Sequence, residues 1–279
     1  MYIKNHKLIK SSGFDVSIDK TPNISGNFIA GDLDTIIIHY TAGSSLASTV
    51  DWLKNPRAGA SAHIVVGKNG EIVQLAPFNL ITWHAGISEW KGKRSLNKYS
   101  IGIEIDNVGY LHKRVDGYYT SFGKKIDDDQ VILVKHKNDD TKIAWEAFTE
   151  KQIRVVEELC LIIKDHYNIK EIVGHDDISP GRKFDPGPAF PLHSLREKIL
   201  FGRKEDDRPE FKFEKNSKAV ILAELLNIRS EPSLNSVRVS EPLPKGTKLD
   251  ILKQEGNWAY VKADIEGWVN TSWIEKFDL

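Results

Sequence analysis

The chain is poor in sulfur, with one cysteine and one methionine among its 279 residues. A single thiol excludes an internal disulfide, and a cysteine-based zinc knuckle would need several thiolates. That cysteine, Cys160, lies in an apolar stretch between Val156 and Ile163. We therefore predict a buried helix residue there and not a reactive thiol.

The chain also lacks net charge, because 39 basic and 39 acidic residues cancel. No overall positive field then draws it to nucleic acid or to an anionic membrane surface. No run of about 18 apolar residues occurs, and no apolar segment follows the basic residues at the N-terminus. We therefore expect no membrane span and see no signal peptide, which favours a cytoplasmic protein or release by a non-classical route.

What the chain does contain is the material for folded domains, with 40% hydrophobic and 28% charged residues. Its length fits one domain of about 200 residues plus a small module. We predict a first domain over residues 1–201 and a second over residues 219–279. The charge-rich residues 202–218 are the predicted linker.

The first domain is predicted to be α/β, with a mixed central β-sheet flanked by helices. Apolar runs rich in β-branched residues predict strands over residues 35–39, 62–66, 71–75, 100–105 and 172–175. Apolar residues at helical spacing predict helices over residues 46–53, 145–167 and 192–200. Residues 108–141 are polar, so we expect surface loops there, with a small hairpin around Asp116 and Gly117.

Alternation along the predicted strand 100–105 assigns its faces. Ile101, Ile103 and Ile105 share one face, which we expect to meet the core. Glu104 points to the opposite face. A carboxylate on that face points away from the core and is available for catalysis.

Two histidines follow predicted strands, and an aspartate lies near one of them. His39 leaves the strand over residues 35–39, His175 leaves another, and Asp185 follows His175 in a proline-rich loop. A catalytic zinc ion needs three fixed nitrogen or oxygen ligands and leaves a fourth position open. Spacing alone is weak evidence for such a site, because a lone histidine at a strand end is more often structural.

Two motifs around these residues carry a family resemblance. The sequences IHYTA (residues 38–42) and GHDDISPGRKFDPGP (residues 174–188) resemble the ligand motifs of the zinc-dependent N-acetylmuramoyl-L-alanine amidases. That family includes muropeptide-recycling amidases, envelope amidases, phage endolysins and peptidoglycan recognition proteins. The resemblance covers roughly residues 35–200. It implies the recognition-protein fold, a zinc cofactor, and His39, His175 and Asp185 as its ligands.

The resemblance also implies an activity and two catalytic residues. The expected reaction is hydrolysis of the amide bond between N-acetylmuramic acid and L-alanine in peptidoglycan or muropeptides. Glu104 is the implied general base for water, and Lys183 the residue that steadies the oxyanion. A surface-paired glutamate and a solvated lysine are the alternatives.

Four further residues are predicted to line the substrate groove. The segments SAH (residues 61–63) and WHAG (residues 83–86) resemble groove segments of the family. His63 and His84 are therefore expected to hydrogen-bond substrate or to orient the metal ligands. Gln74 and Asn107 are predicted groove residues on similar grounds. For His63, a buried side chain satisfied within the sheet is an equal alternative.

The second domain reads as short strands separated by turns, which predicts a small all-β barrel. Its segments LNIRSEP (residues 226–232), LPKG (243–246) and GWV (267–269) resemble the bacterial SH3-like family. Members of that family bind cell wall or a neighbouring domain, and both tasks remain open here.

Two other functions stay open at this point. One is a peptidoglycan-binding protein without catalytic activity, and the other is a zinc peptidase that cuts within the stem peptide. The sequence also leaves open whether the substrate is intact wall or soluble anhydro-muropeptide.

Overall fold

The protein is described by a computed structural model. It describes residues 1–11, 13–139, 141–201, 212–222, 225–232, 236, 238–240, 242–256, 258–263, 266–271 and 274–276.

The N-terminal part of the chain supplies most of the central sheet. Its strands are β1 (Tyr2–Lys4), β2 (Lys7–Ile9), β3 (Asp15–Ile18), β4 (Ile24–Asn27), β5 (Thr35–Tyr40), β6 (Ile64–Val66), β7 (Glu71–Gln74), β8 (Leu80–Thr82), β9 (Glu89–Trp90), β10 (Lys93–Arg94) and β11 (Ser100–Ile105). Helix α1 (Leu46–Lys54) and the 3₁₀ turns Pro56–Ala58 and Leu96–Lys98 lie between them. Gly70, at φ +81°, permits the tight turn between β6 and β7.

The middle of the chain forms an inserted sheet and then returns to the central one. The inserted strands are β12 (Tyr110–Arg114), β13 (Gly117–Tyr119), β14 (Lys125–Ile126), β15 (Val131–Lys135) and β16 (Lys142–Glu146), with a 3₁₀ turn at Asp128–Gln130. Then come α2 (Glu150–His166), β17 (Glu171–Gly174), α3 (His175–Ile178) and α4 (Leu192–Leu200). Thr149 caps α2, because its side chain accepts from the backbone N–H of Gln152 while Gln152 bonds back.

The central sheet is six-stranded and mixed, in the order β17-β5-β11-β6-β7-β3. The first four strands run parallel, and β7 is antiparallel to β6. This confirms the predicted fold class. Ile101, Ile103 and Ile105 pack into the main apolar core with Val156 and Leu159 of α2, on the predicted side of β11. Glu104 is therefore left on the other face of the sheet.

The structure corrects two expectations about the middle of the chain. The stretch 108–141 was expected to be loops, but with β16 it forms a five-stranded antiparallel sheet, in the order β14-β13-β12-β16-β15. The expected hairpin at Asp116 and Gly117 joins β12 to β13. Trp145 lies in β16, so the helix begins at Glu150 and not at Trp145.

The C-terminal part of the chain is the predicted small β module. Its strands are β18 (Lys218–Ile221), β19 (Leu225–Leu226), β20 (Leu243–Pro244), β21 (Lys248–Glu255), β22 (Trp258–Lys262), β23 (Glu266–Asn270) and β24 (Ile274–Lys276). Five of them form one antiparallel sheet, with a separate apolar core that includes Ile228 and Val261.

The module touches the first domain through two arginines. Arg229 forms an ion pair with Glu150, and the guanidinium of Arg238 donates to the carbonyl of Asp129. Residues 202–211 of the predicted linker lie outside the described residues, and Lys218 at its end begins β18. Within the described part of the chain, no helix is both long and apolar enough to cross a membrane.

Candidate metal and active site

The fold brings the three predicted metal ligands to one edge of the central sheet. His39 lies near the end of β5, and His175 begins α3 directly after the neighbouring strand β17. Because β5 and β17 are parallel, their carboxyl ends meet at the same edge. Asp185 reaches this edge from the loop after α3, where its carbonyl accepts from the backbone N–H of Asp176 at 2.8 Å.

Three donor atoms converge at this edge. His39 Nδ1 lies 3.0 Å from His175 Nδ1 and 2.8 Å from Asp185 Oδ2, and His175 Nδ1 lies 3.0 Å from the same oxygen. The three residues are 1%, 4% and 7% exposed. Among the described residues they are the cluster of histidine and carboxylate side chains that can hold a metal ion.

The dimensions and chemistry of this triangle fit a metal such as zinc. Nitrogen and oxygen ligands lie about 2.0–2.2 Å from zinc, which puts them roughly 3.3 Å apart in a tetrahedron. The observed separations of 2.8–3.0 Å are close to that value. Two imidazoles and one carboxylate also form a common donor set for catalytic zinc, with room for a fourth ligand.

The protonation states of these side chains favour the binding of a cation. Burial lowers the pKa of His39 to about 4, against a smaller opposing effect of its contact with Asp185. Burial alone would raise the pKa of Asp185, but its contacts with His175 and His39 outweigh that effect and hold the pKa below its usual range. A neutral imidazole and an ionised carboxylate are the forms that bind a metal ion.

Glu104 stands beside this cluster on the adjacent strand. It pairs in register with His39 across β11 and β5, so both side chains lie on the same face of the sheet. Its Oε2 atom is buried and has no hydrogen-bond partner within the described part of the protein. Burial, followed by the negative charge of Asp185, raises the pKa of Glu104 well above its ordinary value, and Lys183 opposes this rise.

Lys183 is partly exposed and lies in the loop that carries Asp185. Its charge acts on both Glu104 and His39, since it lowers the pKa of each. The structure thus places Glu104 beside the metal cluster and Lys183 in the loop of one of its ligands. In contrast to the surface alternative, Glu104 has no ion pair with a described residue, and one of its oxygens is shielded from solvent.

The four predicted groove residues are placed differently, because all are buried. Gln74 is 1% exposed: its Oε1 accepts from the Leu8 N–H, and its amide donates to Ala76 and His6 carbonyls. Asn107 is fully buried and bonds to the backbone of Glu146 and Gly109. The structure therefore assigns both side chains to packing between segments, in place of the predicted groove contacts.

His63 is also fully buried, and groups of fixed role satisfy both its nitrogens. Nε2 donates to the Leu80 carbonyl at 2.8 Å, and Nδ1 accepts from the Gly102 N–H at 3.1 Å. Burial lowers the pKa of His63 to about 4. This arrangement corresponds to the alternative given for His63, a buried side chain satisfied within the sheet. His84 is 8% exposed and contacts His39, not an open groove.

Two residues of the site region had no predicted role. Arg182, next to Lys183, donates to the carbonyls of Ala85 and Ile87 and so ties the ligand loop to the segment after β8. The only sequence signal for a role of Arg182 was its position in the GRK triplet (residues 181–183). His136 is 2% exposed and bonds to Asp176, and its polar surroundings in the sequence gave no signal of this burial.

Parts of the chain are similar to known proteins. A family model described as N-acetylmuramoyl-L-alanine amidase matches residues 30–188, and one described as bacterial SH3 domain matches residues 224–275. The amidase AmiD of Escherichia coli is 33% identical over 191 residues, which are 64% of this chain and 58% of AmiD. The 1,6-anhydro-N-acetylmuramyl-L-alanine amidase AmpD of the same organism is 32% identical over 132 residues, 47% of this chain and 53% of AmpD.

The chain thus spans a little over half the length of these curated relatives. A solved complex of E. coli AmiD with anhydro-N-acetylmuramic acid-L-Ala-D-gamma-Glu-L-Lys has 30% sequence identity and a TM-score of 0.47. It covers 61% of this chain and 58% of that one.

Proposed function

Because the chain belongs to the N-acetylmuramoyl-L-alanine amidase family, we propose that it hydrolyses the amide bond between N-acetylmuramic acid and L-alanine in peptidoglycan or muropeptides. The observation that carries the proposal is the buried triangle of His39, His175 and Asp185. These residues hold a zinc ion in the proposed enzyme. Glu104 and Lys183 are its catalytic residues.

Bound zinc would supply Lewis acidity, which polarises the lactyl carbonyl and makes water more acidic. Glu104 accepts a proton from the attacking water at its carboxylate, whose buried Oε2 has no partner among the described residues. The water oxygen bonds to the carbonyl carbon, and the ammonium group of Lys183 steadies the negative charge on the carbonyl oxygen. Glu104 then passes its proton to the alanine nitrogen as the carbon–nitrogen bond breaks.

The raised pKa of Glu104 is consistent with this double role. A carboxyl group with the usual pKa of a solvated glutamate loses its proton too readily to protonate a departing amine. Burial makes the Glu104 carboxyl a weaker acid, while the positive charge of Lys183 keeps the ionised form accessible. The same residue can therefore act first as base and then as acid.

Digestion of two substrates tests the proposal. The zinc-loaded full chain is incubated with intact sacculi and with a soluble anhydro-muropeptide, and the products are identified by mass spectrometry. We expect peptide-free sugars and intact stems that begin with L-alanine. The Asp185→Ala variant and the chelator-treated protein serve as controls and should release little of either. The two substrates also decide between wall and soluble muropeptide.

Each alternative function predicts a different result. A peptidase within the stem would leave L-alanine on the sugar. A binding protein without activity would sediment with sacculi and release nothing. Either outcome, obtained with zinc-loaded protein, would contradict the amidase proposal.

For the domain organisation, we propose a catalytic domain over residues 1–201, a linker over residues 202–218 and an SH3-like domain over residues 219–279. The separate apolar cores of the first domain and of the module support this division. Limited proteolysis should cut first in the part of this linker that precedes Phe213, because Phe213 packs into the module core, and it should leave two resistant fragments. Early cleavage inside either core would contradict the proposed boundaries.

A further inference from the structure

We propose that the turn formed by His84 and Ala85 fixes the orientation of both metal-binding histidines, and that Asn97 holds this turn in place. The inference rests on the proposed metal site and adds to it three positioning residues that do not touch the ion. We call His84 and Ala85 the outer turn. It connects β8 to the short strand β9, and one of its residues faces each histidine.

The first half of the outer turn acts on His39. Ser100 Oγ donates to the Leu96 carbonyl at 2.6 Å, so this hydroxyl can only accept from His84 Nε2 at 3.3 Å. The Ser100 carbonyl, 3.4 Å from the same nitrogen, is also an acceptor. The hydrogen of neutral His84 is therefore on Nε2, and its Nδ1 carries a lone pair.

That lone pair determines the tautomer of His39. His84 Nδ1 lies 3.0 Å from His39 Nε2, and the two rings are nearly perpendicular at 86°. Because His84 Nδ1 accepts, His39 Nε2 must donate, and neutral His39 then has a bare Nδ1. This Nδ1 is the atom that faces His175 and Asp185. The relay from Ser100 to His39 thus presents a lone pair to the metal site.

The second half of the outer turn acts on His175. The Ala85 carbonyl lies 3.1 Å from His175 Nε2 and can only accept a hydrogen bond. Arg182 Nη2 lies farther from this nitrogen, at 3.4 Å, and donates over shorter distances to the Ile87 carbonyl and Ser179 Oγ. His175 therefore carries its hydrogen on Nε2 and presents Nδ1 to Asp185 and the metal. A backbone carbonyl behind a metal-binding histidine is a common means of fixing its tautomer and ring orientation.

Asn97 is the anchor of the outer turn. Its Oδ1 accepts from the backbone N–H groups of both His84, at 3.0 Å, and Ala85, at 2.7 Å. Asn97 itself lies in the 3₁₀ turn Leu96–Lys98, which also contributes the Leu96 carbonyl that orients Ser100. One side chain thus positions the partners of both histidines.

Gly102 provides the space in which the His84 ring lies. It sits on β11 between Ser100 and Glu104, and a Cβ atom there would come within 2.4 Å of His84 Cγ. No side chain other than hydrogen is compatible with this ring position. Gly102→Ala therefore displaces the ring without removing a hydrogen-bonding group.

The test measures zinc affinity of the full chain by competition with a chromophoric chelator. We expect His84→Leu to bind zinc about 10- to 100-fold more weakly, the usual effect of losing a partner behind a metal ligand. His84→Asn keeps an acceptor where Nδ1 lies and should recover most of the affinity. This rescue distinguishes positioning from bulk packing, because asparagine fills less volume than leucine.

Variants of Asn97 and Gly102 test the inference independently of His84. Asn97→Ala and Gly102→Ala should each weaken zinc binding, while Asn97→Asp keeps the accepting oxygen and should weaken it less. Asn79→Ala is the matched control, since the Asn79 side chain donates to exposed Asn27, away from the metal cluster. This control should bind zinc like the unchanged chain.

The outcomes separate this inference from the proposed function. Equal zinc affinity in the unchanged chain, His84→Leu and Asn97→Ala, with circular dichroism showing all three folded, would overturn the positioning role and leave the amidase proposal intact. If His84→Leu fails to fold, Asn97→Ala and Gly102→Ala decide by the same measurement. An unchanged chain that binds no zinc would overturn the proposed metal site and this inference together.

Discussion

At the scale of single residues, Glu104 and Asp185 illustrate how one site gives two carboxyl groups opposite properties. Both are withdrawn from water, and burial raises the pKa of each. Asp185 contacts the ring nitrogens of His39 and His175, and these contacts reverse the effect, whereas the Oε2 of Glu104 has no partner among the described residues. One carboxylate is thereby committed to holding a cation, and the other is left to move protons.

The Glu104→Gln variant tests this difference between the roles of the two carboxyl groups. The amide has nearly the shape of the carboxylate but cannot accept a proton from water, so we expect turnover to fall by about 10²- to 10⁴-fold. Zinc affinity should change little, since Glu104 is not among the metal ligands. Turnover and zinc content are measured on the same preparation, with exposed Glu255→Gln as the control. Turnover that equals that of the control would remove Glu104 from the mechanism.

His63 yields a prediction about pH and stability. Its folded-state pKa is about 4 against an ordinary value of 6.5, so only the unfolded chain binds this proton between those pH values. Its contribution to the free energy of unfolding is thus complete above pH 6.5 and is lost as pH falls toward 4. The contribution is on the order of 3 kcal/mol.

Urea unfolding of the metal-free protein from pH 7.5 to 4 measures this effect. His63→Gln should be less stable than the unchanged chain at pH 7.5, and the difference should shrink as pH falls. Exposed His193 provides the control variant His193→Gln, which should keep the unchanged chain's pH dependence. A constant difference between His63→Gln and the unchanged chain would contradict a neutral, buried His63.

At the scale of elements, the sequence predicted the parts whose burial pattern is regular. β5 and β11 are runs of buried aliphatic residues, and α4 was predicted with its observed bounds, Leu192–Leu200. The start of the inserted sheet was missed because β12 exposes four of its five residues, so no apolar alternation marks it. β15 and β16 do contain buried apolar residues, but they are short and stand in a polar stretch. Trp145 was assigned to a helix because its spacing from Phe148 fits one.

The site was predictable only where a motif carried it. His39, His175 and Asp185 lie within matched segments, and so do Glu104 and Lys183. The contacts of Asn97, Ala85 and His136 depend on how distant segments meet, for which one sequence contains no signal. Gln74 and Asn107 were misplaced because a polar residue near a motif can equally satisfy buried backbone groups.

The inserted sheet has an identifiable task in positioning the ligand loop. His136 follows β15, and its Nδ1 accepts from the Asn138 N–H, so its Nε2 donates to Asp176 Oδ2 at 3.0 Å and to the Phe184 carbonyl at 3.1 Å. Asp176 directly follows one metal ligand, and Phe184 directly precedes another. One imidazole therefore joins both ends of the loop that carries His175 and Asp185.

We expect His136→Ala to lower the free energy of unfolding by about 2–3 kcal/mol, because it leaves a cavity and buried acceptors without their donor. Hydrogen exchange should accelerate at the Asp176 amide, which bonds to the Asp185 carbonyl. Exposed His112 on β12 of the same sheet gives the control variant His112→Ala. Exchange at Asp176 that matches this control would show that the insertion does not hold the loop.

At the scale of the whole molecule, the proposed metal site couples distant parts of the chain. His39 belongs to β5, whereas His175 and Asp185 come from a segment more than a hundred residues later, after the inserted sheet and α2. In the unfolded chain these groups are far apart, so zinc binds almost only to the folded state. Zinc must then stabilise the fold by mass action.

A free zinc concentration about 1,000-fold above the dissociation constant would raise the free energy of unfolding by about 4 kcal/mol. For a chain of this size that corresponds to a rise of roughly 10 °C in the melting temperature of the catalytic domain. Differential scanning calorimetry of zinc-loaded and chelator-treated protein measures the rise. Asp185→Ala, which lacks the carboxylate that both histidines contact, should show no such response, and magnesium should not replace zinc because it disfavours imidazole ligands. A melting temperature of the unchanged chain that is indifferent to zinc would mean that the three side chains do not form a metal site, whatever their separation in the folded protein.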